Sequence, residues 1–196
     1  IGRHMVQDFN IPPQVIRVIP RSVDLSKFQI ERAAKSPQDP KVITMIGRIT
    51  PLKGHPYFLK AMARVARQNP NVKIQIVGDA PAKRKSYKDE LVVLAKRLGL
   101  SNHVEFLGNR RDIPQILAHT DCLVLSTITP EAFGRVILEA LWAGRPVIGT
   151  RTGGTPELIQ DGKNGLLVEK CDPDSLARAI ETVAANLTIL KSPTVM

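Results

Sequence analysis

The stretch Lys41–Gly78, KVITMIGRITPLKGHPYFLKAMARVARQNPNVKIQIVG, carries the pattern on which the fold turns. Val42 to Ile46 is a short apolar run halted by Gly47, and it predicts a buried strand. From Tyr57 to Arg67 the spacing puts Phe58, Leu59, Met62, Val65 and Ala66 on one face of a helix. Lys73 to Val77 predicts a second strand, halted by Gly78. An apolar strand is one covered on both sides, and a helix between two such strands is the connection a parallel pair requires.

The same alternation runs outward from this unit. Tyr87 to Leu98 predicts a helix with Leu91, Leu94, Ala95 and Leu98 inward and Gly99 as its stop. Further strands are predicted at Val104 to Leu107, Cys122 to Leu125, Pro146 to Gly149 and Gly165 to Val168. Helices are predicted near Ile113 to Ala118, Arg135 to Ala143, Pro156 to Gln160 and Pro173 to Ala185. The expectation is an α/β domain: a parallel sheet with helices on both faces.

Bulk properties fit that picture. A chain of 196 residues, 43% hydrophobic and 23% charged, can bury one ordinary core but not two large ones. No apolar run approaches the roughly 20 residues of a membrane span and no secretory signal opens the chain, so a cytoplasmic protein is expected. Cys122 and Cys171 lack metal-type spacing and read as free thiols, Cys122 as a buried one. The net charge of +10 suits nucleic acid, an anionic membrane surface or phosphorylated small molecules. Lys83, Arg84, Lys85, Arg110 and Arg111 contribute to it, each also readable as a solvated face. No zinc-finger, RNA-binding or basic heptad pattern accompanies the charge, and no nucleic-acid partner is expected.

Domain boundaries follow composition. Ile1 to Met5 resembles a protease-site remnant joined to a cloning site, so residues 1–5 read as a vector scar. Residues 6–40, with Pro12, Pro13, Pro20, Pro37 and Pro40, read as an interdomain arm or linker and not a core element. Residues 41–187 form the expected ligand-binding domain, and 188–196 a truncated tail.

Ligands of such sheets bind at the carboxyl ends of the strands. The first loop, Gly47-Arg48-Ile49-Thr50-Pro51-Leu52-Lys53-Gly54, matches neither the dinucleotide fingerprint nor the Walker loop. It places two cations around a turn into a helix N-terminus, which suits a diphosphate; the spacing alone equally allows two exposed basic residues. The second, Pro130-Glu131-Ala132-Phe133-Gly134-Arg135-Val136-Ile137-Leu138-Glu139-Ala140, opens a helix whose first amides can receive a phosphate. Glu131 and Glu139 would stand about 12 Å apart if all between were helical, so they touch different parts of one extended ligand. Otherwise Glu131 is a favourable acid at a helix N-terminus and Glu139 a solvent-facing one.

These loops, with Gly144-Arg145-Pro146-Val147-Ile148, Gly153-Gly154 … Glu157-Leu158 and Asp161-Gly162 … Gly165-Leu166-Leu167-Val168, resemble the C-terminal domain of family-4 retaining glycosyltransferases. The resemblance covers nearly all of Val15 to Ala185 and implies one Rossmann-like half of a GT-B fold. It implies that Arg48 and Lys53 hold the donor diphosphate as leaving group, that Glu131 contacts the transferred sugar and Glu139 the ribose. Gly134, Arg135 and Val136 would offer amides to the phosphates, beside Gly47 and Phe133, and the loop carrying Asn109 and Arg110 would border the nucleobase.

The implied reaction moves a hexose from a UDP- or GDP-sugar to a glycan or lipid-linked acceptor, with no metal and no cofactor beyond that co-substrate. The acceptor would enter through an N-terminal half, and a peripheral contact with the inner membrane surface is an expected partner. A fragment of this kind is expected to be inactive alone. A GT-B epimerase or phosphorylase and a basic polyanion-binding module are the competing readings. Ser22 departs from the family glycine. Asp172-Pro173-Asp174 imitates a metal motif but reads as a helix cap. His55, His103 and His119 have no evident catalytic partner, and Trp142 reads as core.

Overall fold

The computed structural model describes residues 2–17 and 23–185, with side chains from Met5 onward. Ser22 and the 188–196 tail lie outside the described residues. In chain order the elements are α1 (Gly2–Phe9), β1 (Lys41–Ile46), α2 (His55–Gln68), β2 (Val72–Val77), α3 (Lys85–Arg97), β3 (Val104–Gly108) and α4 (Ile113–His119). They continue as β4 (Cys122–Leu125), α5 (Arg135–Trp142), β5 (Val147–Thr150), α6 (Thr155–Leu158), β6 (Gly165–Val168) and α7 (Pro173–Ala185). The expected strands and helices are all present, displaced by no more than two residues at either end. Asp172 caps α7 as expected, its Oδ1 accepting from the amides of Asp174 (3.0 Å) and Ser175 (2.9 Å).

The six strands lie in the order β3-β2-β1-β4-β5-β6, and every neighbouring pair is parallel. This is the strand order of the doubly wound, Rossmann-like arrangement. Alternation along β4 shows how both faces are filled: Cys122 and Val124 point into one core, Leu123 and Leu125 into the other. The first core takes Phe58, Leu59 and Met62 of α2, Leu91 of α3 and Ile180 of α7; the second takes Leu117 of α4 and Ile137 and Leu141 of α5.

Two sequence readings are corrected here. Residues 23–40, read as an arm or linker and not a core element, do reach the core: Phe28 is buried in the second core, and the Ala33 amide donates to the Ala118 carbonyl (3.0 Å). Arg32 and Lys35 reach the buried carboxylate of Asp121, which also accepts from the Val42 amide (2.8 Å). Proline content had obscured the apolar contacts of Leu25, Phe28 and Ile30 with the domain. Trp142 is not core but 37% exposed, at the last turn of α5. Cys122 is buried and Cys171 exposed, and both are free.

Candidate functional site

Strand order makes the site. Successive strands build outward from β1 to β2 and β3, after which the chain returns to the other side of β1 as β4. The loops leaving β1 and β4 therefore diverge over their shared edge and open a crevice there. Both loops singled out in the sequence lie at this point.

The β1 loop is held at each end. Its Gly47 amide donates to Val77 (2.9 Å) and its Ile49 amide to Asp79 (3.0 Å), tying it to the end of β2. Its far end is a turn over Pro51–Lys53 closed by Gly54 in the left-handed region, φ +70°. A Cβ at Gly54 would stand 2.0 Å from the Ser126 carbonyl oxygen, so only glycine lets the two loops touch. Ser126 Oγ donates toward the Lys53 and Gly54 carbonyls (3.2 and 3.1 Å), and the Ile128 amide donates to Leu52 (3.0 Å).

The β4 loop rests on the loop after β5. Thr150 Oγ1 donates to the Thr127 carbonyl (2.6 Å), and the Gly154 amide to the Glu131 carbonyl (2.7 Å). Gly153, at φ +56°, would drive a Cβ to within 2.3 and 2.4 Å of the Glu131 backbone nitrogen and oxygen. The glycine pair is thus the floor that sets the height of Glu131. Sequence reasoning had noted Gly153-Gly154 only as a motif and had missed Ser126, Thr127 and Thr150. The polar Ser126-Thr127 pair closing an apolar strand was the signal available.

The crevice encloses about 400 Å³. Gly47, Arg48, Lys53, Asn109, Arg110, Glu131, Gly134, Arg135, Val136 and Glu139 all line it. Phe133 does not; it lies half-buried in the β4 loop outside the lining. Lys53 and Glu131 meet in a direct ion pair, while Arg48 stands exposed. Gly134, in the left-handed region, starts α5 with no side-chain cap, and Gly134, Arg135 and Val136 at this helix start line the crevice. Arg110 is held by Asp112 (Nε to Oδ1, 2.8 Å).

Glu139 is buried, contrary to a solvent-facing helix position, and takes the Arg135 guanidinium at 3.0 Å. Burial raises its pKa above the ordinary carboxylate value, with Arg135 opposing. It stands between the crevice and a wider cavity of about 980 Å³, bordered by Val23, Lys27 and Phe28 of the arm and by Arg111 and Gln115. That border role of the arm had no signal in its composition. Among the described residues no group of three or more His, Cys, Asp or Glu is placed to hold a metal ion.

The crevice belongs to a recognisable lineage. The family description "Glycosyl transferases group 1" matches residues 26–191. The chain belongs to this glycosyltransferase family. A D-inositol 3-phosphate glycosyltransferase of Corynebacterium jeikeium is 32% identical over 189 residues, covering 90% of this chain and 45% of that protein. The lipopolysaccharide core biosynthesis glycosyltransferase LpsE of Rhizobium meliloti is 35% identical over 173 residues, covering 87% and 48%. The Anabaena Alr3699/HepE structure in complex with UDP and glucose matches with a TM-score of 0.82 at 32% identity, over 92% of this chain and 50% of that one. The C-terminal domain of the group 1 glycosyl transferase LpcC from Francisella tularensis matches with a TM-score of 0.75 at 27% identity, over 86% and 90%. The chain spans about half the length of the curated relatives it matches. No described helix of the chain is long and apolar enough to cross a membrane.

One buried group under the site is expected to make the stability of the chain depend on pH. His55 opens α2 beside Lys53, is fully buried, and neither ring nitrogen makes a well-formed hydrogen bond. Burial lowers its pKa to about 4; the Thr50 backbone opposes this and the Lys53 charge adds to it. Because the folded pKa lies below the unfolded value near 6.5, the unfolded chain takes up the proton first as pH falls. The stability His55 contributes is complete above about pH 6.5 and is lost on descent toward pH 4. Urea unfolding at pH 4.5 should give about 2–3 kcal/mol less stability than at pH 7.5 from this group. His55→Leu should flatten that slope, and an unchanged slope would show that other groups set it.

Proposed function

We propose that this chain is the donor-binding, C-terminal half of a two-domain, family-4 retaining glycosyltransferase. It would move a hexose from a UDP- or GDP-sugar to a glycan or lipid-linked acceptor held by an N-terminal half, in the cytoplasm at the inner membrane surface. The observation that carries this reading is the gathering of Arg48, Lys53, Glu131, Glu139 and the uncapped start of α5 around one crevice. The length match with an isolated C-terminal domain and the UDP and glucose named for the Anabaena structure support it.

The residues divide by chemistry. Arg48 and Lys53 meet the diphosphate, where negative charge grows as the sugar–phosphate bond breaks, and the α5 amides add positive potential from the other side. Preplaced cations and amides can do this without a metal. Glu131 accepts from sugar hydroxyls, and Glu139 from the ribose hydroxyls deeper in the crevice. Arg110 and Asn109 border the base.

Arg48→Ala or Lys53→Ala should weaken nucleoside diphosphate binding by about 1.5–3 kcal/mol, the scale of a hydrogen bond to a charged group, with nucleoside binding little changed. Calorimetry and thermal shift with UDP-, GDP- and ADP-sugars would test this and identify the donor. Equal losses for nucleoside and nucleoside diphosphate would point to a folding defect. No heat with any nucleoside diphosphate at millimolar concentration would overturn the assignment of the β1 loop.

A further inference from the structure

Lys53 and Glu131 come from loops 78 positions apart in sequence, yet their side chains are directly paired in the crevice. Both are largely shielded from water, 26% and 19% exposed. Neither loop is free to drift from the other, because Ser126 bonds the Lys53 and Gly54 carbonyls and Ile128 bonds Leu52. The Gly153–Gly154 floor holds the Glu131 backbone at a set height. The pair is therefore a built feature of the site, not a chance meeting of two long side chains on a surface.

The pairing has a consequence for what the site accepts. A diphosphate that takes the Lys53 ammonium competes with the Glu131 carboxylate for its donors. If the ligand carries no sugar, that carboxylate, shielded from water, gives up part of its hold on the cation and gains a new anion beside it, an arrangement that costs binding. If the ligand carries a sugar, its hydroxyls can donate to the carboxylate and replace the lost partner with charge-assisted hydrogen bonds. We infer that Glu131 is a specificity-determining residue that, by pairing with Lys53 across the crevice, sets the site against nucleoside diphosphates lacking a sugar and in favour of the sugar-bearing donor. This rests on the donor-site reading above. It also assigns a direction to product release: once the sugar has left, the carboxylate reclaims Lys53 as the diphosphate departs.

The inference runs against the usual expectation that removing a binding-site residue weakens binding. Calorimetric titration of the 196-residue chain with UDP and GDP, each alone and as its hexose donor, tests it. Glu131→Gln should bind the better of the two diphosphates about three- to tenfold more tightly than the unmodified chain, the scale of freeing one ion-paired cation. Its preference for the sugar-bearing ligand over the bare diphosphate should fall by at least the same factor. In a Lys53→Ala background the same change should alter diphosphate affinity less than about twofold, since no cation remains to be released. Equal or weaker diphosphate binding by Glu131→Gln would overturn the inference and make Glu131 a support that positions Lys53. An undiminished gain in the Lys53→Ala background would overturn it too, reducing the effect to repulsion by the carboxylate. Thermal unfolding of each variant comes first, with Glu131→Ala replacing Glu131→Gln should that variant not hold the fold. Absence of binding by every form, the unmodified chain included, would instead refute the donor-site reading itself.

Discussion

Under the proposed function, replacing Glu131 by glutamine in the full-length protein is expected to lower turnover by about 10²–10³-fold while changing the affinity for the sugar donor less than tenfold. The size is that of removing one preplaced electrostatic group from a site where charge develops. The glutamine keeps the shape of the side chain and its place above Gly153 and Gly154, so the backbone that sets its height is undisturbed. Donor affinity changes little because two effects oppose each other: the carboxylate–hydroxyl contact is weakened, and Lys53 is released to the diphosphate. On the proposed reading, what is lost is negative charge beside the sugar at the moment its bond to the diphosphate breaks. Glu139→Gln should behave differently, raising the donor KM through the ribose with turnover less affected. Steady-state kinetics of both variants in the full-length protein, with the 196-residue chain measured beside them, is the test. The chain by itself should show at most slow donor hydrolysis, because holding acceptor against donor can supply about 7–11 kcal/mol of the barrier. Normal turnover by Glu131→Gln, or robust transfer by the chain alone, would defeat the proposed function.

Asp121→Ala should cost about 3–5 kcal/mol of folding stability, nearer the lower figure because Arg32 and Lys35 reach solvent. The Asp121 side chain is 1% exposed and accepts from Lys35, Arg32 and the Val42 amide. Burial pushes its carboxyl pKa up, but those three donors outweigh burial and hold it below the ordinary value. Arg145 lies buried nearby, its pKa lowered to about 10 by burial and by Arg32, with Asp121 opposing. Removing the carboxylate leaves these cations without their common anion and the Val42 amide, near the start of a central strand, without its acceptor. Residues 29–40 should then be cut by protease well before the sheet unfolds, since Arg32 and Lys35 fasten that segment to the domain. Denaturant unfolding and limited proteolysis read the two effects separately. A loss below about 1 kcal/mol would mean that the Phe28 and Ala33 contacts anchor the arm without the ion pairs.

Much of the fold was legible in the residue order. Short apolar runs, the first two halted by Gly47 and Gly78, located the six strands, and the period of Phe58, Leu59, Met62 and Val65 located α2. The arm was misread because prolines at 12, 13, 20, 37 and 40 dominate its composition, whereas Phe28 decides its packing. Trp142 was misread because side-chain size suggests burial, while its place at the last turn of α5 leaves it partly in water. Phe133 was grouped with the site by its neighbours Glu131 and Gly134, but lies outside the crevice lining.

The sequence by itself determined the alternation of strand and helix, the parallel class of the sheet, and which loops carry cations, carboxylates and helix amides. These follow from periodicity and turn chemistry, which act over a few neighbouring residues. Tertiary structure alone decided that β4 lies against β1, that the Gly47–Gly54 loop and the Glu131 loop therefore share one crevice, and that Lys53 and Glu131 pair across it. It also decided that Gly153 must be glycine because the Glu131 backbone lies where its Cβ would be. Strand order arises from how two covered faces close around a single core, and that packing brings together residues whose separation along the chain carries no record of it.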